Sequence, residues 1–108
     1  MDDLKFRKSI LNGNEYMVKY MLQKGANPAR IFSDSNNPLI MSAFLGHIPI
    51  AKILIETGKV DVNYANKFGN TALLIANMNN HKKMVEYLLT IEGINKDHMN
   101  LEGYRIRY

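Results

Sequence analysis

"NNPLIMSAFLGHIPIAKILIETGKVDVN", residues 36–63, holds two short apolar stretches separated by Gly46-His47 and closed by Gly58 and an Asp-Val-Asn tail. Its meaning depends on whether the pattern recurs, and it does. Gly58, after the second stretch, has an earlier counterpart in Gly25 of "MLQKGANP". Gly46-His47 is matched upstream by Gly13-Asn14 and downstream by Asn80-His81. Gly69 of "NKFGNTALL" is matched by Gly103 of "NLEGYRIRY". Each match falls at nearly the same offset, and a fixed period of about 33 residues marks a repeat architecture in which each unit is one supersecondary element.

Inside each unit the apolar spacing is helical. Met84, Val85, Leu88 and Leu89 follow an i, i+1, i+4, i+5 order that lays one stripe along a short helix, with Leu73, Leu74 and Ala76 on the helix before it. Met17, Val18, Met21 and Leu22 take the same places in the first unit, and Ile50, Ala51, Leu54 and Ile55 in the second. The spacing predicts two helices of about ten residues per unit. Pro49 falls in the first turn of its helix, where a missing N–H costs little. Gly25 and Gly58 stand where a left-handed C-cap is wanted, and Gly93 is displaced from that slot by one residue.

A chain of 108 residues, 46% hydrophobic and 22% charged, suits one domain with a modest core. No stretch reaches the roughly 18 consecutive apolar residues that would span a bilayer. The N-terminus, Met1-Asp2-Asp3-Leu4-Lys5, lacks the basic-then-apolar order of a signal peptide. With no Cys there is neither a disulfide framework nor a thiolate metal site, and the expected location is the cytoplasm. The net charge of +4 raises nucleic acid as a partner. The basic residues are scattered, however: Lys19, Lys24, Lys52, Lys59 and Lys67 stand singly, and Arg7-Lys8 and Lys82-Lys83 are only pairs. No run forms an electrostatic footprint, and a solvated exterior accounts for the charge.

With "NTALLIA" set against the pattern T-P-L-H-x-A, "GH" opening a second helix, and "GANP" or "GKVDVN" after it, the chain resembles the ankyrin repeat. The resemblance implies an all-α solenoid of stacked helix-turn-helix units linked by β-turn or hairpin loops. It treats residues 1–108 as a single domain. The units run over about 1–25, without an opening turn, then about 32–58 and about 66–92, with the turn of a fourth at 98–108. The sequence departs from the pattern. Its Thr survives only as Thr71, with Asn37 and Arg105 in the equivalent places; its Pro survives only as Pro38, with Ala72 in the third unit; its His is replaced by Ile40 and Leu74. In the family that Thr and His support hydrogen bonds between units, so their loss implies modest stability. "GKVDVN" and "EGINKD" run one residue long, which predicts two looser loops.

Nothing in the sequence points to catalysis. His47 and His81 share one slot and read as helix-start residues, His98 stands alone in a turn, and the carboxylates fall at unrelated repeat positions. Gly58-Lys59 lacks both the upstream Gly and the Ser or Thr of a phosphate loop. None of the three serines lies in a nucleophile elbow. No cofactor and no metal are expected. The methionines read mainly as core filling.

The resemblance implies binding of another protein through turn tips and the ends of first helices, positions that stacking leaves open. Carried over slot by slot, the helix-end sites are Leu11 and Asn12, Phe44 and Leu45, and Met78 and Asn79. The turn-tip sites are Phe32, Ser33, Asp34 and Asn36, then Lys67, Phe68 and Asn70, then Leu101, Glu102 and Tyr104. Phe32, Phe44, Leu45, Phe68 and Met78 are expected to group as an apolar patch of the kind found at interface centres. The leading function is a non-catalytic protein-binding module serving as an adaptor, inhibitor or effector. The alternatives are a basic nucleic-acid-binding module and an architectural fragment that pairs two copies. At the C-terminus, Tyr104, Arg105, Ile106, Arg107 and Tyr108 alternate with period two, which suits an extended strand. We expect Tyr104, Ile106 and Tyr108 to close the last helical pair as a lid, favouring a monomer over a homodimer.

Overall fold

The computed structural model describes residues 3–108; Met1 and Asp2, which open the first expected unit, lie outside the described residues. Six helices follow in order: α1 (Asp3–Leu11), α2 (Glu15–Gln23), α3 (Pro38–Leu45), α4 (Ile48–Glu56), α5 (Ala72–Met78) and α6 (Lys82–Leu89). No strand is formed among the described residues. The helices pair as α1–α2, α3–α4 and α5–α6. The first helices stack as α1, α3, α5 and the second as α2, α4, α6. The result is an elongated all-α repeat solenoid, 39 × 25 × 22 Å.

Most of the helices start where the sequence supplies a cap. Asn37 Oδ1 accepts from Ile40 N–H at 2.9 Å, standing in for the Thr of the repeat pattern, and Thr71 Oγ1 accepts from Leu74 N–H at 3.3 Å. Asn14 caps α2 in the same way, and His47 Nδ1 caps α4 through Ile50 N–H at 3.4 Å. Between paired helices the chain reverses at Gly13, Gly46 and Asn80, all at positive φ. Asn is among the few non-glycine residues that tolerate this conformation.

The core is divided between the two interfaces of the stack. Phe6, Ile10, Val18 and Met21 of the first pair meet Met41, Ile50 and Leu54 of the second. Leu39, Ala43 and Ala51 of the second meet Ala72, Leu73, Met84 and Leu88 of the third. Ile94 and Ile106 pack against this second cluster from the C-terminal side. The lid therefore forms through Ile106, with Asn77 Nδ2 donating to the Tyr104 hydroxyl at 2.5 Å and Arg105 and Arg107 exposed. Tyr108 does not join it: its ring is exposed and its hydroxyl donates to Lys96 O at 3.0 Å.

The turns carry the hydrogen bonding between units. Asn66 Nδ2 donates to Asn36 Oδ1 at 2.8 Å, and one unit further along Asn100 Nδ2 donates to Asn70 Oδ1 at 2.9 Å. Leu101 N–H donates to Phe68 O at 3.1 Å. His98 does not stand alone, since its Nε2 lies 2.9 Å from Gly69 O. The long loops are tied rather than loose: Asn63 Nδ2 donates to Gly93 O at 2.8 Å while its Oδ1 accepts from Asn95 N–H at 2.8 Å. An asparagine ladder thus takes over the inter-unit bonding that the missing Thr and His would otherwise support. No buried side-chain polar atom among the described residues lacks a partner.

Candidate concave binding surface

The first helices and the projecting turns enclose a groove of about 350 Å³, lined by residues of α1, α3 and α5 and by the turns at 34–36 and 66–70. Along the ends of the first helices, Leu11, Phe44 and Met78 occupy one repeat slot in three successive units and are 48%, 57% and 46% exposed. Phe68 projects from a turn at 55% exposure, with Lys67 Nζ 5.3 Å from its ring centroid. Large side chains this open, repeated along one face, are not needed by the stack.

The turn tips owe their shape to short backbone closures. Phe32 N–H donates to Asn36 O at 2.9 Å, Asn66 to Asn70 O at 3.0 Å and Asn100 to Tyr104 O at 2.9 Å. Each closure passes through a left-handed residue, at Ser35, Gly69 and Gly103. Ser35 carries that conformation without being glycine, and its hydroxyl accepts from Lys67 N–H at 2.9 Å, joining it to the next tip. Asp34 is fixed by Arg7, whose Nη2 donates to Oδ2 at 2.6 Å. That hydrogen bond holds the Asp34 carboxyl below the ordinary carboxylate value, against a smaller upward push from burial.

One expected patch residue belongs elsewhere. Phe32 is only 8% exposed and sits in the core between the first and second pairs, with Arg7 Cζ 4.9 Å from its ring centroid. It fills the slot that Asn66 and Asn100 hold in later turns. Those asparagines reach back to the preceding turn, whereas the Phe32 ring packs into the core.

Ser33, Lys67, Leu101 and Glu102 are exposed at the tips, Leu101 at 79%. Asn12, Leu45 and Asn79 share the slot beside the apolar row and are exposed, Asn79 turning its amide to Ile75 O at 2.8 Å. Asn36 and Asn70 serve as ladder acceptors and Tyr104 as an acceptor for Asn77, so these three are scaffold. Arg7 and Asn66 line the groove unforeseen; Arg7 stands 27 residues from its partner Asp34, a separation only the stacked units bridge. Met17 and Met78 are exposed, whereas Met21, Met41 and Met84 are core.

His81 shows how the stack is latched. Its Nε2 lies 2.8 Å from Phe44 O, one of the terminal carbonyls of α3 without an intrahelical partner. A carbonyl only accepts, so the proton is on Nε2. Among the described residues no group of three or more His, Asp or Glu is placed to hold a metal, and no helix is long and apolar enough to cross a membrane.

The family pattern described as "Ankyrin repeats (3 copies)" matches residues 7–100. The chain is 35% identical over 82 residues to alpha-latrocrustotoxin-Lt1a of Latrodectus tredecimguttatus, a match covering 75% of the chain and 6% of the toxin. It is 35% identical over 95 residues to the putative ankyrin repeat protein L66 of Acanthamoeba polyphaga mimivirus, covering 83% and 15% of the two. It is 32% identical over 108 residues to the ankyrin repeat domain-containing protein SAT10 of Stachybotrys chartarum, covering 95% and 5%. The chain thus spans only a small part of the length of these relatives. The helical pairs, the tight projecting turns and the repeat match together make this chain a member of the ankyrin repeat family, whose repeats are protein-interaction modules.

Proposed function

We propose that the chain is a non-catalytic protein-binding module, working in the cytoplasm as an adaptor, inhibitor or effector, that holds its partner against the concave face. The observation behind this reading is the row Leu11, Phe44 and Met78, half exposed at the same slot of three successive units and accompanied by Phe68 at the turn tip. Burying such side chains at an interface centre provides most of the binding energy in protein complexes. The ion pair of Arg7 with Asp34 and the tips Ser33, Lys67 and Glu102 supply a polar rim, and Leu101 adds an exposed apolar side chain beside it.

The test is capture of partners from the native source, followed by affinity measurement on the purified pair. Replacing Phe44 and Phe68 together with Ser is expected to weaken binding by about 2–4 kcal/mol, as interface hot spots do. Helical circular dichroism and the melting temperature are expected to stay close to the parent, because both rings are more than half exposed. Unchanged affinity in the folded variant, or a fold that collapses on the substitution, would refute the reading.

A further inference from the structure

The asparagine ladder settles which end of each amide is occupied. Asn66 Oδ1 accepts from Phe68 N–H at 3.0 Å and from Asn70 N–H at 3.1 Å, so the group it turns to Asn36 is its NH2, and the atom receiving it is Asn36 Oδ1. One unit on, Asn100 Oδ1 accepts from Glu102 N–H at 3.0 Å and from Tyr104 N–H at 2.8 Å. Asn100 Nδ2 therefore faces Asn70 Oδ1 for the same reason. Asn36 and Asn70 are scaffold through their oxygens, and the Nδ2 of each is left over. Neither nitrogen has an acceptor among the described residues, and since no buried side-chain nitrogen there lacks a partner, both open to solvent. Both residues line the concave groove, Asn70 at only 8% exposure, so its amide is a donor held in place by its surroundings.

The rest of the groove wall is apolar or already matched. Leu11, Phe44 and Phe68 stand open in it. The charged residues among its lining are Arg7 and Asp34, which pair with each other, and Lys67 and Glu102 at the tips are again one of each sign. Charge therefore selects neither an anion nor a cation, and a carboxylate or phosphate brought to the free amides would enter a wall that already holds Asp34. The unmatched requirement is for neutral acceptors beside apolar side chains.

We infer that the groove takes an uncharged, proline-rich segment of the partner in the polyproline II conformation, whose backbone carbonyls accept from Asn36 Nδ2 and Asn70 Nδ2 while its apolar side chains pack on Phe44 and Phe68. The inference rests on the concave face being the binding surface. A helical occupant spends its carbonyls on its own backbone and would bury both donors unpaired. A strand turns carbonyls to one side every second residue, about 7 Å apart. Polyproline II has no internal hydrogen bonds, and with three residues per turn it returns a carbonyl to the same side every ~9 Å. Asn36 and Asn70 hold one slot in adjacent units, whose separation is set by α3 stacking on α5, and stacked helices lie about 8–10 Å apart. The spacing of the donors thus matches polyproline II and not a strand.

Two capped, fluorescein-labelled peptides without charged residues test the inference by fluorescence anisotropy with the full chain. One sets leucines three residues apart among prolines; the other sets leucines at i, i+3, i+4 and i+7 among Ala and Gln to form a helix. The proline-rich peptide is expected to bind about tenfold or more tightly than the helical one. Asn36→Asp with Asn70→Asp keeps each Oδ1 in the ladder and removes the donor, and is expected to weaken the proline-rich peptide about tenfold or more, as the loss of two hydrogen bonds does. Asn36→Asp alone, at the more open site, is expected to weaken it several-fold and decides the matter if the double variant unfolds. Phe44→Ser with Phe68→Ser is expected to abolish binding. A helical peptide that binds as tightly and is lost through the Phe pair would overturn the extended occupant while leaving the concave face as the binding surface. So would a captured native partner that is lost through the Phe pair but is indifferent to the Asn variants. No binding of the proline-rich peptide, or binding that neither pair of substitutions alters, would overturn the inference outright.

Discussion

Gly46→Ala probes the latch between the second and third units. Gly46 has φ +70°, a conformation that costs an L-residue about 1–2 kcal/mol. A Cβ there would also lie 2.6 Å from His81 Nδ1 and 2.8 Å from its Cγ, so the ring has to move. Moving it breaks the 2.8 Å contact of Nε2 with Phe44 O, a hydrogen bond contributing about 1 kcal/mol. Together these predict a loss of about 2–3 kcal/mol, which is on the order of 10–25 °C in melting temperature for a domain of this size. Gly58→Ala is the control: Gly58 has φ +72° but nothing within 4 Å of a Cβ, so only the backbone cost of about 1–2 kcal/mol applies. Urea unfolding followed by circular dichroism, read as the change in midpoint at constant slope, measures both. In a His81→Ala background the excess cost of Gly46→Ala over Gly58→Ala is expected to vanish. If Gly46→Ala in the parent chain is no worse than Gly58→Ala, His81 does not couple the units as argued.

Asp34→Asn is expected to destabilise the chain by about 0.2–1 kcal/mol at neutral pH, the ordinary value for a pair as exposed as Arg7 and Asp34. Because the folded carboxyl titrates below its unfolded value, this contribution is complete above about pH 4 and disappears as pH falls through the lowered folded pKa. Parent and variant stability curves should therefore converge in acid, and a gap that persists there would exclude the ion pair as its source. Deleting residues 104–108 removes Ile106 from the second core cluster and the Tyr104 acceptor from Asn77. It should lower stability by about 1–3 kcal/mol and promote association, since the uncovered apolar flank seeks another cover. Sedimentation of a full-length dimer that trimming leaves unaltered would contradict the lid.

The repeat period, the six helices and their pairing were legible because they rest on local physics. Amphipathic spacing at Ile50, Ala51 and Leu54 or at Met84, Val85 and Leu88 needs only the neighbouring turn of helix to be read. Asn37, Thr71 and the left-handed glycines punctuate the chain by their own conformational preferences. Within the candidate site, Leu11, Phe44, Phe68 and Met78 were legible as open positions because the slots they hold lie off the stacking face in every unit.

Sequence alone therefore determined the class of fold, the number of units and the positions that stacking leaves open, since each depends on residues close along the chain. Only the tertiary structure decided what lies across from a given slot. Phe32 is core, not patch, because the stack places its ring in the cluster shared by the first and second pairs. Asn66 and Asn100 became a ladder because stacking brings Asn36 and Asn70 within 2.8 and 2.9 Å. Met17 is open where Ile50 and Met84 are buried, although all three hold one position in the helical pattern. A slot specifies the direction in which a side chain points; whether it meets a neighbouring unit, a turn or water depends on what the stack has placed there, and burial and hydrogen bonding follow from that.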